Sequence, residues 1–178
     1  MARAVFLDRD GVINEAFIRD GRPYPPRNLS EVKILQGVDS ALTELRLTGW
    51  RTIVITNQPD VGRGSASRSD VESINAYLMS QLDIDDFRVC YHDDADKCQC
   101  RKPLPGAILS AALEHGIVTK DSFMIGDRWR DIEAGYAAGC KTIFIDYKYK
   151  EKSPINPDYT VGCLVEAVKI INKHENYQ

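Results

Sequence analysis

Five short apolar runs punctuate this chain: Ala4-Val5-Phe6-Leu7, Thr52-Ile53-Val54-Ile55, Phe87 to Tyr91, Phe123-Met124-Ile125 and Thr142 to Ile145. Runs of this length and composition suit strands buried on both faces, which belong to parallel sheets. Amphipathic stretches separate them. A helix is expected from Gly37 to Thr48, with Val38, Leu42 and Leu45 on one face and Gly49 closing it. Ser69 with Glu72 reads as a capping box, followed by an inward stripe of Val71, Ile74, Leu78 and Leu82. Pro105 opens a helix carrying Ile108, Ala112 and Leu113 that stops near Gly116. Shorter helices are expected around Asp131–Ala138 and from about Cys163 to Lys173. Such alternation predicts a doubly wound, Rossmann-like α/β fold, a parallel sheet with helices on both faces. Two segments stay outside the pattern. Residues 12–34, with Pro23, Pro25 and Pro26, are too long for an idle connection and read as a flap or hairpin over a site. Residues 147–159, rich in Lys and Pro, read as loop.

A chain of 178 residues is most economically one domain, spanning 1–178, able to bury roughly 70% of its unfolded surface without staples. The formal charge of −3 argues against nucleic acid or an anionic membrane as partner. No apolar run approaches the ~18 residues that span a bilayer, and the opening strand leaves no room for a signal peptide. The five cysteines are an odd number, three of them within residues 90–100, which predicts a reducing cytoplasm rather than a secreted disulfide framework. A monomer is expected.

Chemistry sits at the strand ends. The first strand ends in Asp8-Arg9-Asp10-Gly11, the second in Thr56-Asn57-Gln58 and the fourth in Gly126-Asp127. A parallel sheet brings these ends to one edge, where open α/β folds bind ligands. Carboxylates with a main-chain carbonyl form an oxygen-rich nest suited to Mg²⁺, and a cation offsets their mutual repulsion. Arg101-Lys102-Pro103, at the start of a helix, supplies positive charge for a phosphoryl group, with Lys102 the expected ligand.

The four segments Asp8-Arg9-Asp10-Gly11, Thr56-Asn57-Gln58, Arg101-Lys102-Pro103 and Gly126-Asp127-Arg128 resemble, in order, the four motifs of the haloacid-dehalogenase-like (HAD) phosphatases. The resemblance implies a HAD-type fold with Asp8 as nucleophile, forming an aspartyl-phosphate, and Asp10 as general acid and base. It further implies that Thr56 and Lys102 hold phosphoryl oxygens, with Asn57 a further candidate for phosphate binding, while Asp8, the carbonyl of Asp10, and Asp127 bind Mg²⁺. Asp131 matches the second acid of the fourth motif. It reads either as an outer group of the metal site or as a helix N-terminal charge.

Cys90-x-His92 followed by Cys98-x-Cys100 gathers three thiols and an imidazole within eleven residues, a spacing that can close a tetrahedral Cys₃His zinc site. With all four ligands from protein, such a zinc is structural, and its loop runs directly into Arg101-Lys102. Cys140 and Cys163, the latter placed in the last helix, read as small buried residues. The loop resembles that of the heptose 1,7-bisphosphate 7-phosphatase and histidinol-phosphate phosphatase subfamily, and Asn57 to Gly64 resembles the heptose enzymes' substrate loop. Three departures stand out: Gly62 where alanine is more usual, an insertion at Glu15 to Arg27, and a short zinc loop.

About 45 residues separate Asp10 from Thr56, too few for a cap domain. An uncapped site leaves selectivity to loops, with Arg63, Arg101 and Arg128 as candidate substrate contacts and Arg19 and Arg22 weaker ones. The expected activity is removal of the 7-phosphate from a heptose 1,7-bisphosphate. The alternatives are a histidinol-phosphate or other small phosphosugar phosphatase, and a phospho-accepting signalling domain.

Overall fold

The computed structural model describes residues 2–175. In chain order the elements are β1 (Ala4–Leu7), β2 (Phe17–Arg19), β3 (Arg22–Tyr24), α1 (Val38–Leu47), β4 (Arg51–Asn57), the one-turn α2 (Pro59–Gly62), α3 (Arg68–Gln81) and β5 (Asp86–Cys90). They continue as α4 (Gly106–His115), β6 (Phe123–Gly126), α5 (Trp129–Ala138), β7 (Lys141–Ile145), β8 (Tyr159–Val161) and α6 (Leu164–Glu175). Six strands form one parallel sheet in the order β5-β4-β1-β6-β7-β8.

Alternation along the central strands builds two cores. Val5 and Leu7 of β1, Val54 of β4 and Ile125 of β6 face α1, α3 and α6, where Leu42, Leu45, Ile74, Leu78 and Ile171 are buried. Ala4, Phe6, Ile53, Ile55 and Met124 face α4 and α5 through Ile108, Ala111 and Ala134. All four residues of β1 are 0% exposed, so this strand is covered on both faces, as its apolar run predicts. Each Leu or Ile buried this way contributes about 1.5–3 kcal/mol. Leu7 pairs with Val54 on one side and Ile125 on the other. β6 therefore ends one residue and β4 three residues beyond the end of β1, with the polar residues that follow gathered at one edge.

The segment 12–34 does contain a hairpin, β2 against β3, turning at Asp20 and Gly21, both at positive φ. Three expectations need correction. Helix α3 begins at Arg68 with Ser67 at its N-cap; Ser69 lies inside the first turn, its hydroxyl 2.6 Å from that of Ser67, and Glu72 pairs with Arg68 (2.7 Å) instead of closing a capping box. The supposed loop ends in a strand, β8, whose three residues are too few to show a period. It is anchored by the Asp158 carboxylate, which accepts from the Thr142 amide (2.7 Å) and hydroxyl (2.9 Å). Cys163 precedes α6 and is only half-buried, whereas Cys140 is buried as expected. Among the described residues no helix is long and apolar enough to cross a membrane.

Candidate active site

Asp8 follows β1 directly, its amide donating to the Ile125 carbonyl (2.9 Å). Lys102, from the loop before α4, reaches under it and is 2% exposed. Its ammonium donates to Asp8 Oδ1 (2.8 Å) and the Ile55 carbonyl (2.6 Å), and pairs with Asp131 Oδ1 (2.6 Å). The three donors of the ammonium are thereby matched to three acceptors. Asn57, at the end of β4, holds the lysine's backbone from both sides: its Nδ2 donates to the Lys102 carbonyl (3.0 Å) and its Oδ1 accepts from the Lys102 amide (3.1 Å). The buried Thr56 hydroxyl accepts from Gln58 Nε2 (2.9 Å).

Asp131 stands as an acid at the N-terminus of α5 and also pairs with the buried lysine. One oxygen pairs with Lys102 while the other accepts from the Arg128 amide (2.9 Å) at the start of α5. The carboxylates of Asp8, Asp127 and Asp131 can bring one oxygen each within 4.8 Å of one another, all of them buried. Gly11 makes this packing feasible. It sits at φ 88°, and a Cβ there would stand 2.0 Å from Asp127 Oδ2.

Asp10 points elsewhere. Its carboxylate accepts from Arg9 (3.0–3.1 Å), Asn14 Nδ2 (3.0 Å) and Gln58 Nε2 (2.9 Å). Arg9 is wholly buried and is also bonded to Asn75 Oδ1 (3.0 Å). A buried arginine between two acids was legible as an oddity in Asp8-Arg9-Asp10, although nothing local identified its partner on α3.

The electrostatics of the cluster favour a bound cation. Burial, then Asp131, push the Asp8 carboxyl up to about 6, against the pull of Lys102. Asp127 is raised well above the usual carboxylate range by burial and by Asp8 and Asp131. Burial disfavours the Lys102 charge, but the Asp131 and Asp8 carboxylates overcome it and hold the ammonium protonated. One lysine thus serves two of the three buried acids, Asp8 and Asp131. Asp127 Oδ1 is buried without a hydrogen-bond partner, while Oδ2 accepts from the Tyr149 hydroxyl (2.8 Å). An orphaned carboxylate oxygen in an acidic nest is what a hard divalent cation would satisfy.

A cleft of about 370 Å³ opens over this edge, lined by Asp8, Asp10, Asn57, Lys102 and Asp131 and roofed by Arg22 to Pro25 of the flap. Arg63, Arg101 and Arg128 line it too. Arg63 lies among three acids: Asp60 (3.3 Å), Asp93 (3.8 Å) and Asp94 (3.9 Å). Arg101 pairs with Asp94 (2.9 Å), and Arg128 makes a two-pronged contact with Glu151 (2.5–3.1 Å). Arg130, 3.7 Å from Asp94 and also facing the cleft, was not anticipated; it stands between Arg128 and Asp131, two positions past the quoted Gly126-Asp127-Arg128. Arg19 pairs with the ring of Tyr24 in the hairpin instead.

Beside the cleft, the Cys90, Cys98 and Cys100 sulfurs and His92 Nδ1 stand 3.3–3.7 Å apart in the pairs Cys90–His92, Cys90–Cys98, Cys90–Cys100, Cys98–Cys100 and Cys100–His92. Zinc bonds of about 2.0–2.3 Å in a tetrahedron give edges of about 3.3–3.8 Å. The cysteines are free thiols, so the four groups fit a zinc ion and not a disulfide. Gly62 explains its departure from alanine: a Cβ there would lie 2.6 Å from the Tyr91 carbonyl, so the turn at Gly62 packs directly on the Cys/His loop.

The edge-clustered acids, buried lysine and parallel sheet define a HAD-like hydrolase, and a family model described as "HAD-hyrolase-like" matches residues 99–167. A crystal structure of D,D-heptose 1,7-bisphosphate phosphatase from B. bronchiseptica, complexed with magnesium and phosphate, superposes with a TM-score of 0.82 at 24% identity, over 97% of this chain and 99% of that one. D-glycero-beta-D-manno-heptose-1,7-bisphosphate 7-phosphatase of Helicobacter pylori strain J99 is 34% identical over 85% of this chain and 87% of its own length. The corresponding alpha-anomer enzyme of Mycobacterium bovis is 38% identical over 79% of this chain and 78% of its own. The chain belongs to the heptose-1,7-bisphosphate 7-phosphatase family of HAD-like phosphatases.

Proposed function

We propose that this chain removes the 7-phosphate from D-glycero-D-manno-heptose 1,7-bisphosphate in a cytoplasmic biosynthetic route, acting as a single domain with one catalytic Mg²⁺ and one structural Zn²⁺. The observation that carries the reading is the buried contact of Lys102 with both Asp8 and Asp131 beneath an arginine-lined cleft. Asp8, the carbonyl of Asp10, and Asp127 would hold Mg²⁺, which when bound neutralises the phosphate and lets it approach a carboxylate.

Asp8, fixed through Oδ1 by Lys102, attacks phosphorus with a carboxylate oxygen as the P–O bond to the sugar breaks. Asp10 protonates the departing alkoxide. In the second half-reaction Asp10 takes a proton from water, which attacks phosphorus and returns Asp8 with release of phosphate. Thr56 and Asn57 flank the transferring group, Asn57 also fixing the lysine. Arg63, Arg101 and Arg128 face the distal phosphate, to which arginine forks bind well.

The test is phosphate release from both anomers of the bisphosphate, from a heptose monophosphate and from histidinol phosphate. The bisphosphate should have the highest kcat/KM, and Arg63→Ala should reduce it far more than that of the monophosphate. Equal kcat/KM for histidinol phosphate would assign the chain to the other branch of the subfamily.

A further inference from the structure

The segment between β7 and β8 does more than connect. Asp146 to Lys152 begins at the same sheet edge as the acids, and three contacts hold it, one of them internal. The Lys148 amide donates to Asp146 Oδ1 (2.9 Å), the Lys150 amide donates to the Gly21 carbonyl at the turn of the flap hairpin (2.8 Å), and Glu151 holds Arg128 with both oxygens. Between these anchors the half-buried Tyr149 ring leans on Tyr147, centroids 5.6 Å apart, and its hydroxyl donates to Asp127 Oδ2. With Oδ2 engaged, the carboxylate plane is set and the partnerless Oδ1 is the oxygen left for a cation.

We propose that Tyr149 is a positioning residue that orients Asp127 for the metal, an inference that rests on the Mg²⁺ reading of the acidic cluster. Hydrogen-bond partners behind a metal ligand fix its orientation, and losing one typically lowers metal affinity about 10–100-fold. Because the same loop carries the flap turn on Lys150, the phenol is presented by a braced strap and not by a free chain end.

The experiment titrates Mn²⁺ into wild type, Tyr149→Phe, Asp127→Asn and the double variant, reading free Mn²⁺ by electron paramagnetic resonance and the metal-free unfolding midpoint alongside. Mg²⁺ half-activation is measured in parallel. Tyr149→Phe should raise the Mn²⁺ Kd about 10–100-fold and shift Mg²⁺ half-activation by a similar factor. In the Asp127→Asn background the same change should have little further effect, because Tyr149 acts through Asp127. A Tyr149→Phe Kd within twofold of wild type overturns the proposal, as does a lowered midpoint with unaltered affinity. Failure of wild type to bind Mn²⁺ at all overturns the metal reading itself, and this inference with it.

Discussion

Lys102→Met isolates the interaction on which the site is built. Methionine keeps the stem and deletes the ammonium, so the side chains of Asp8 (10% exposed) and Asp131 (2%) lose their shared counter-charge. The Ile55 carbonyl loses its donor as well. Breaking a buried ion pair from one side costs about 3–5 kcal/mol, and an orphaned buried carbonyl about 1–3. The two losses share one atom, so about 4–6 kcal/mol in all is expected, a large part of the 5–15 kcal/mol of a typical domain. Lys102→Met/Asp131→Asn should recover about half, because asparagine removes one stranded charge and can still accept from the Arg128 amide. Urea unfolding of the metal-free protein at pH 7.5, followed by tryptophan fluorescence, measures all four corners of the cycle. A Lys102→Met deficit below about 1 kcal/mol, or one untouched by Asp131→Asn, would refute the view that Asp131 is the lysine's partner and not merely a helix charge.

The raised Asp8 group gives a pH test with a defined sign. The folded protein binds its proton more tightly than the unfolded chain, so its contribution is complete below about pH 4 and lost as pH rises through about 6. Metal-free wild type should therefore lose about 2 kcal/mol relative to Asp8→Asn between pH 4 and 7, read from paired denaturation curves; a flat difference contradicts the burial argument. Protein purified without added zinc should carry one equivalent, and Cys98→Ser should lose it while raising hydrogen exchange through Arg101 and Lys102. Full protection of that segment in the zinc-free variant would show that the metal does not brace it.

Most of the architecture was readable because the signals were redundant. Five apolar runs alternating with amphipathic helices admit few folds other than a parallel sheet, and β1 needed no context beyond Ala4 to Leu7. The convergence of Asp8, Asn57 and Asp127 follows from strand ends in register. A Cys/His cluster at short spacing is visible as such. What stayed hidden depends on distant partners. Strand β8 is three residues long and owes its place to Asp158. The start of α3 is decided among nearby serines, with Arg68 taking Glu72 away from the cap. Asp94 and Tyr149 lie in loops and Arg130 in the first turn of α5; only the folded course of the chain brings them to the cleft and to Asp127, and no local pattern encodes that course.

The central claim is covalent catalysis at Asp8. Enzyme turning over heptose 1,7-bisphosphate with Mg²⁺ should be quenched with borohydride, which reduces an acyl phosphate to an alcohol, and the peptide containing Asp8 sequenced by mass spectrometry. The account predicts homoserine at position 8 only when substrate is present, and none at position 10. Absence of that product under steady turnover, or its appearance at Asp10 with Asp8 unmodified, would contradict it.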